Sequence, residues 1–149
     1  MNVDDIMVTE AKSCTTETTL DQVAMQMWEY NCGSIPVVNQ ENKPVGIITD
    51  RDIAMCCALN HKAPWEMTAA TVMADRTIYT CCADDDIASA LSLMKEHKVR
   101  RLPVTDSDGF FTGMVSIDDV VAFSEKLTPT KKQSYDLTMN TLKAVAIHH

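Results

Sequence analysis

The chain has 149 residues, of which 46% are hydrophobic and 23% are charged, so it is long enough for one compact globular unit and too apolar for a disordered chain. Its 21 acidic residues outnumber its 13 lysines and arginines and give a formal charge of -8. This balance argues against duplex nucleic acid or an anionic membrane as the main partner, because both require a net cationic surface. A small anionic ligand stays compatible with it, since such a ligand needs only a local cationic pocket.

No segment is apolar over a sufficient length to span a membrane. The longest uninterrupted apolar run, Ile53 to Leu59, has seven residues, whereas a spanning helix needs roughly 20. The amino terminus, Met1-Asn2-Val3-Asp4-Asp5, lacks the basic start and the apolar stretch of a secretory signal. We therefore expect a cytoplasmic protein with no membrane partner.

The six cysteines are expected to be reduced thiols. They occur singly at Cys14 and Cys32 and as the adjacent pairs Cys56-Cys57 and Cys81-Cys82, without any C-x-x-C spacing. The four histidines show no ligand spacing with them, so the pattern predicts small buried side chains and no metal site. The terminal His148-His149 resembles the remnant of a purification tag and carries no functional weight.

In chain order, the first regular pattern is that of a helix. Apolar residues recur at helical spacing from Leu20 to Trp28. The β-branched run from Ile35 to Val38 then predicts a strand, and a polar turn at residues 39–43 leads to a second strand from Val45 to Ile48. A further helix follows directly, so the predicted order is helix, strand, strand, helix.

The same order returns 67 residues later. Pro36 matches Pro103, and the run Gly46–Asp52 falls on Gly113–Asp119 at the same offset. Two segments that keep proline, glycine, hydroxyl and carboxylate residues in register predict an internal duplication.

The duplication divides the chain and indicates its fold class. Upstream of the predicted strands, Ile6-Met7 aligns with Val72-Met73 in the sequence at an offset of 66 residues. A copy of this size leaves one face of its sheet uncovered, so we expect two copies that pack together in an α/β protein of the α+β type, each a small sheet with flanking helices. The predicted segments are repeat 1 at 1–60, a linker at 61–71, repeat 2 at 72–125, and a helical extension at 126–149 that contains Leu137, Thr141, Leu142 and Val145.

The turn from the second strand into the following helix carries residues suited to an anion and a sugar. A helix start presents unpaired backbone N–H groups and the positive end of the helix dipole, which accept phosphate readily. Thr49 can donate its hydroxyl to a phosphate, and Asp52 can accept two hydrogen bonds from a ribose diol. The alternative is a capping box, in which Thr49 and Asp52, or Ser116 and Asp119, only satisfy the helix-end donors.

The two copies resemble a tandem pair of CBS domains, also called a Bateman module. The resemblance covers roughly residues 1–125, and its hallmark of glycine, two apolar residues, Thr or Ser, two variable residues and Asp is complete at Gly46–Asp52 and Gly113–Asp119. It implies a pseudo-twofold pair with two clefts that bind adenosine-containing ligands such as AMP, ADP, ATP, NAD-type dinucleotides or S-adenosylmethionine. It also implies a homodimer that senses or regulates and does not catalyse. We further expect that no cofactor is required and that a separate effector protein is a partner.

By this resemblance, Asp52 and Asp119 would bind ribose hydroxyls, and Thr49 and Ser116 would face phosphates. The other implied contacts are an adenine wall of Ile35, Pro36, Val37, Leu102, Pro103 and Val104, base contacts from Thr15 and Cys82, and phosphate contacts from Arg100 and Arg101. The first copy has Gly33-Ser34 in place of the two arginines. We interpret the arginines as anion-binding residues; the alternative is a solvated helix end whose cations complement the dipole.

Two other classes of function stay as alternatives. In one, the chain is a dimerisation or protein-interaction module with vestigial clefts, and Trp28 is either a contact of that kind or one edge of a buried stripe. In the other, the chain is an enzyme, but it shows no nucleophile, base and acid set. No metal motif accompanies Asp84-Asp85-Asp86, which we interpret as a capped helix start. We therefore expect no catalytic residues.

Overall fold

The computed structural model describes residues 1–74, 76–124 and 139–144. These residues form two compact units, which we call the first unit (Ala11–Ile78) and the second unit (Met1–Glu10 with the described part of Tyr79–His149). The units cut across the sequence repeats. The segment that begins the first repeat belongs to the second unit, and the residues that follow the last helix of the first repeat belong to the first unit.

The described residues of the first unit form a three-stranded sheet with flanking helices. Its elements are β1 (Cys14–Thr15), α1 (Leu20–Glu29), β2 (Ser34–Val38), β3 (Pro44–Thr49), α2 (Asp50–Asn60), a 3-10 turn (Pro64–Glu66) and α3 (Ala69–Met73). The central strand β2 is parallel to β1 and antiparallel to β3. Because β2 has a neighbour on each side and helices pack against the sheet, all of its residues except Ser34 are buried.

The second unit repeats this arrangement. Its elements are a 3-10 turn (Val3–Asp5), β4 (Cys81–Cys82), α4 (Ile87–His97), β5 (Arg101–Thr105), β6 (Phe111–Ser116) and α5 (Ile117–Ser124). The strand order is β4-β5-β6, with the same parallel and antiparallel pairings, and both central strands have a register shift before their last residue. The predicted order of helix, strand, strand, helix and the α/β fold class are therefore confirmed in both copies.

Each unit has its own apolar core, built from the inner face of its first helix, its central strand and the start of its last helix. Both cores draw on positions that match under the repeat. In the first unit the fully buried side chains include Leu20, Val23, Ile35, Val37 and Ile48, and in the second they include Leu91, Met94, Leu102, Val104, Val115 and Ile117. Burial of these side chains is the main stabilising contribution to each unit.

Each unit also contains a segment from outside its own sheet-and-helix repeat. Met1–Glu10 precedes the first repeat's strands but belongs to the second unit, and residues 61–78 precede the second repeat's strands but belong to the first unit. In the second unit, the Val8 N–H donates to the Met114 carbonyl oxygen (2.8 Å), and the Met114 N–H donates back to Val8 (3.1 Å). In the first unit, the Leu20 N–H donates to the Met67 carbonyl oxygen at 3.0 Å. These backbone hydrogen bonds fix the segments as parts of the units and not as loose linkers.

The carboxyl-terminal extension is described only at residues 139–144, which are helical. Leu142 packs against the core of the second unit, and Thr141 is fully buried. Leu137 and Val145, which the sequence places in the same helix, lie outside the described residues. Within the part of the chain that is described, no helix is both long and apolar enough to cross a membrane.

We expect the glycines that open the two repeated motifs to differ in their tolerance of alanine. A Cβ added at Gly113 would lie 2.6 Å from the Val8 carbonyl oxygen, which is backbone, whereas a Cβ added at Gly46 would lie 2.7 Å from the flexible end of Met73. Gly113→Ala should therefore lower the free energy of unfolding by about 2–3 kcal/mol and Gly46→Ala by about 1 kcal/mol or less. Urea denaturation of both variants measures the difference, and equal losses would contradict this account of the Val8 contact.

Candidate functional site

In the first unit, two side chains close the turn from β3 to α2. The Asp52 N–H donates to Thr49 Oγ1 (3.1 Å), and the Thr49 N–H donates to Asp52 Oδ2 (2.8 Å). This reciprocal pair is a capping box, which satisfies two backbone donors near the start of the helix. The capping role suggested by the sequence is therefore present, and any ligand-binding role is additional to it.

The turn from β6 to α5 in the second unit is closed in the same way. Asp119 Oδ2 accepts hydrogen bonds from the Ser116 N–H (2.8 Å) and the Ser116 hydroxyl (2.6 Å), and the Asp119 N–H donates to Ser116 Oγ (3.3 Å). Both carboxylates thus use Oδ2 for the cap. Among residues 1–74, 76–124 and 139–144, Asp119 Oδ1 has no hydrogen-bond or ion-pair partner.

Asp52 has a further partner that the sequence analysis did not identify. Arg76 Nη1 lies 2.9 Å from Asp52 Oδ1, with the Asp52 side chain 15% exposed and the Arg76 side chain 52% exposed. Both carboxylate oxygens of Asp52 are therefore engaged. The offset of 66 that aligns Ile6-Met7 with Val72-Met73 also aligns Arg76 with Glu10, and this reversal of charge is the signal that could have marked the position.

The residues expected to form an adenine wall also belong to the cores. In β2 and β5, the side chains of Ile35, Val37, Leu102 and Val104 are at most 1% exposed. The prolines between them, Pro36 and Pro103, are buried as well. A ligand contact from these strands would therefore involve their backbone groups or require a core side chain to be uncovered.

The strand register separates two parts of the predicted site in the first unit. Thr49 lies opposite Ser34 at the start of β2, whereas Thr15 lies beside Val38 at its end. Four steps of extended strand separate these positions by about 13 Å. Cys82 occupies the same end of β5 in the second unit. The structure therefore does not bring Thr15 or Cys82 next to the carboxylate of its own unit.

The register does bring the two arginines to the turn of the second unit. Arg101 pairs with Ser116 across β5 and β6, and the Ile117 N–H donates to the Arg100 carbonyl oxygen at 3.0 Å. Arg100 is exposed and forms no ion pair with another described residue. The backbones of Arg100 and Arg101 thus lie next to the start of α5, which also carries Asp119. This combination is suited to a ligand with both an anionic group and hydroxyl groups.

The first unit has a surface cavity of about 460 Å³ beside its turn. The cavity lies against α1, the loop that follows it and the start of α2, and is lined by Ala24, Met27, Trp28, Asn31, Cys32, Gly33, Asp50 and Ile53. Trp28 is 84% exposed. It is therefore not an edge of the buried stripe of α1, and the interpretation of this residue as a contact for a partner stays a prediction.

Burial controls the chemistry of two cysteines. It raises the pKa of Cys14 to about 11 and, with the negative charge of Asp85 as a smaller cause, the pKa of Cys81 to about 12. Both are protonated at neutral pH and are poor nucleophiles. Within the described ranges, no group of three or more His, Cys, Asp or Glu residues could hold a metal ion.

A family model for the CBS domain matches the chain twice, over residues 3–58 and 69–126. An uncharacterized protein of Methanopyrus kandleri is 34% identical over 115 residues, which cover 77% of this chain and 58% of that protein. An inosine-5'-monophosphate dehydrogenase of Mycobacterium tuberculosis is 30% identical over 125 residues, which cover 84% of this chain and 22% of the enzyme. The chain thus spans less than two thirds of the length of these curated relatives.

Solved structures share the fold. Hypoxic Response Protein I, crystallised with two coordinated zinc ions, is 29% identical with a TM-score of 0.74, over 82% of this chain and 98% of that one. The CBS domain pair of protein MJ0100, in complex with 5'-methylthioadenosine and S-adenosyl-L-methionine, is 25% identical with a TM-score of 0.70, over 85% of this chain and 98% of that one. A CBS domain protein of Pyrobaculum aerophilum complexed with AMP is 19% identical with a TM-score of 0.71, over 80% of this chain and 90% of that one. At this identity the comparison shows a shared fold alone.

We expect Cys14 and Cys81 to be the slowest thiols in the native protein. A thiol with a pKa of about 11 is only about 0.1% thiolate at pH 8, and the thiolate is the reactive form. Alkylation with iodoacetamide at pH 8, followed by peptide mass mapping, should label Cys32 well before these two residues. Labelling of Cys14 or Cys81 at the rate of Cys32 in the folded protein would contradict the burial of their thiols.

Proposed function

The chain belongs to the CBS domain family, and we propose that it is a regulatory module that binds an adenosine-containing ligand at its strand-to-helix turns. The proposal includes no reaction on the ligand. Regulation would then act through a change in this chain's stability or surface when the ligand binds. The observation that carries the proposal is the duplicated turn, in which one carboxylate is held by the backbone beside a helix start.

The turn is suited to the sugar of a nucleoside. In the second unit, the cap fixes Asp119 through Oδ2 and leaves Oδ1 without a partner among the described residues, so little conformational freedom is lost when a ribose hydroxyl donates to it. Two solved relatives with the same fold were crystallised with adenosine compounds, one with AMP and one with S-adenosyl-L-methionine and 5'-methylthioadenosine. These compounds share an adenosine group and differ in charge, which supports recognition of the nucleoside as the common element.

The two units are expected to handle charge differently. Arg100 and Arg101 flank the turn of the second unit, whereas Gly33 and Ser34 occupy those positions in the first. Guanidinium groups bind phosphate through charge-assisted hydrogen bonds. We therefore assign any phosphate contact to the second unit, with Ser116 able to join it once its hydroxyl turns away from Asp119.

Ligand binding should stabilise the fold, and this tests the proposal. A ligand at 100 times its Kd adds about 2.7 kcal/mol when it binds only the native state, which raises the Tm of a chain this long by several degrees. The compounds to compare by thermal shift are adenosine, AMP, ADP, ATP, NADH and S-adenosylmethionine. Unchanged melting curves with all of them would contradict the proposal and favour an interaction module with vestigial clefts.

Site variants sharpen this test. Asp119→Asn keeps an acceptor for the Ser116 N–H but removes the charge, so it should weaken adenosine binding by about tenfold or more while changing the free energy of unfolding by less than about 1 kcal/mol. Asp118→Asn, one residue away and exposed, is the matched control and should bind normally. The double variant Arg100→Gln/Arg101→Gln should lose more affinity for ATP than for adenosine, and the loss should shrink at high salt.

A second observation favours association between copies of the chain. On the helices of the first unit, Met25, Trp28, Met55 and Leu59 are large apolar side chains that are between 46% and 84% exposed. In α4 and α5 of the second unit, only Val121 is comparably apolar and exposed, at 38%. We propose that the first-unit helices form the contact of a homodimer, because closed twofold association is the commonest way to bury such a surface.

We expect sedimentation at micromolar concentration to give a dimer of the 16.5 kDa chain. Trp28→Glu combined with Leu59→Glu should convert it to a folded monomer, because two charges cannot be buried without partners. Lys62→Gln, which alters an exposed side chain of the same unit, serves as the control and should stay dimeric. A monomer in the unaltered protein would contradict the dimer without affecting the ligand proposal.

A further inference from the structure

Asp52 and Asp119 occupy the same motif position, but the structure presents them to a ligand in different states. In both, Oδ2 faces the backbone of its own turn and accepts the N–H of Thr49 or Ser116 at 2.8 Å. A ribose diol must therefore donate to Oδ1, the oxygen that the cap does not use. In the first unit, Arg76 Nη1 already binds that oxygen at 2.9 Å.

In the second unit, no described residue forms an ion pair with Asp119. Asp119 Oδ1 has no ion-pair or hydrogen-bond partner there. The sequence counterpart of Arg76 is Glu10, which belongs to the second unit and carries the opposite charge. The motif residues are thus duplicated, whereas the sequence position that supplies Arg76 in the first unit carries an acidic residue, Glu10, in the second.

We propose that Arg76 is an internal competitor of the ribose at Asp52, so that the two sites of the chain bind the same adenosine ligand with unequal affinity and the second-unit site fills first. This inference rests on the proposed function, since it requires Asp52 and Asp119 to accept ribose hydroxyls. Because Arg76 belongs to the same chain as Asp52, it competes with the ribose at a constant effective concentration.

The burial of the two partners indicates how strong the competition is. The Asp52 side chain is mostly buried, so it benefits from a permanent partner, while the half-exposed Arg76 can turn into solvent and be rehydrated when a ligand arrives. Exposed ion pairs alter an equilibrium by about fivefold at most, and pairs with one buried partner by somewhat more. Arg76 therefore weakens the first-unit site and does not close it.

The test uses adenosine, which is neutral, so that loss of a positive charge does not by itself alter its attraction to the protein. Asp119→Asn weakens the second-unit site by about tenfold or more while keeping its cap, so the first-unit site contributes a larger share of the measured binding. In that background, Arg76→Gln should tighten adenosine binding by about threefold to tenfold in calorimetric titration. Lys62→Gln, which removes a charge at an exposed position of the same unit, should leave the affinity unchanged.

Salt dependence provides a second readout. Raising the ionic strength screens the pair of Arg76 and Asp52, so adenosine affinity of the first-unit site should rise with salt in the chain with Arg76 and stay level in Arg76→Gln. If Asp119→Asn does not fold, the two-site isotherms of the unaltered chain and of Arg76→Gln give the same comparison. In Arg76→Gln, the weaker of the two adenosine affinities should approach the stronger one.

The outcomes separate this inference from the proposed function. Adenosine binding that is equal or weaker in Arg76→Gln overturns the inference and leaves the function in place, with Arg76 as a bystander or a ligand contact. First-site affinity that falls with salt in the chain with Arg76 also overturns it. Absence of adenosine binding to the unaltered chain and to all variants overturns the proposed function itself.

Discussion

The start of a helix leaves backbone N–H groups without partners, and at α2 and α5 a hydroxyl and a carboxylate three residues apart accept two backbone hydrogen bonds there. Asp52 and Asp119 each accept the N–H of the hydroxyl residue that ends the preceding strand, and so fix the direction in which the helix leaves the sheet. The same hydrogen bond holds the carboxylate still and orients its other oxygen. Under the proposed function, stability and recognition would therefore depend on the same side chain, and a ligand would meet a group that is already ordered.

What surrounds this carboxylate distinguishes the two units. In the second, Arg100 and Arg101 leave the backbone beside the turn, and Oδ1 of Asp119 is without a described partner. In the first, Arg76 occupies Oδ1 of Asp52, and the neighbouring helices expose Trp28 and other apolar side chains. We infer a division of roles, in which the second unit is the stronger ligand site and the first unit combines a weaker site with the surface for association.

The sequence predicted those features that local patterns encode. Helical spacing in α1 and α4, β-branched runs in β2 and β5, and the register of the repeated motif gave the element order and the capping pairs. The two-residue strands β1 and β4 are too short to have a period, and so they were not predicted. The pairing of Val8 with Met114 and the contact of Arg76 with Asp52 join residues far apart in the chain, which no local pattern reports.

The most direct measurement is a calorimetric comparison of adenosine with 2',3'-dideoxyadenosine on the unaltered protein. The two compounds share the base and the charge and differ only in the diol that we assign to Asp52 and Asp119. We expect adenosine to bind at least about tenfold more tightly, because loss of hydrogen bonds to a charged acceptor costs about 1.5–3 kcal/mol each. Equal affinity for the two compounds would contradict the claim that these carboxylates recognise ribose and would leave them as helix caps alone.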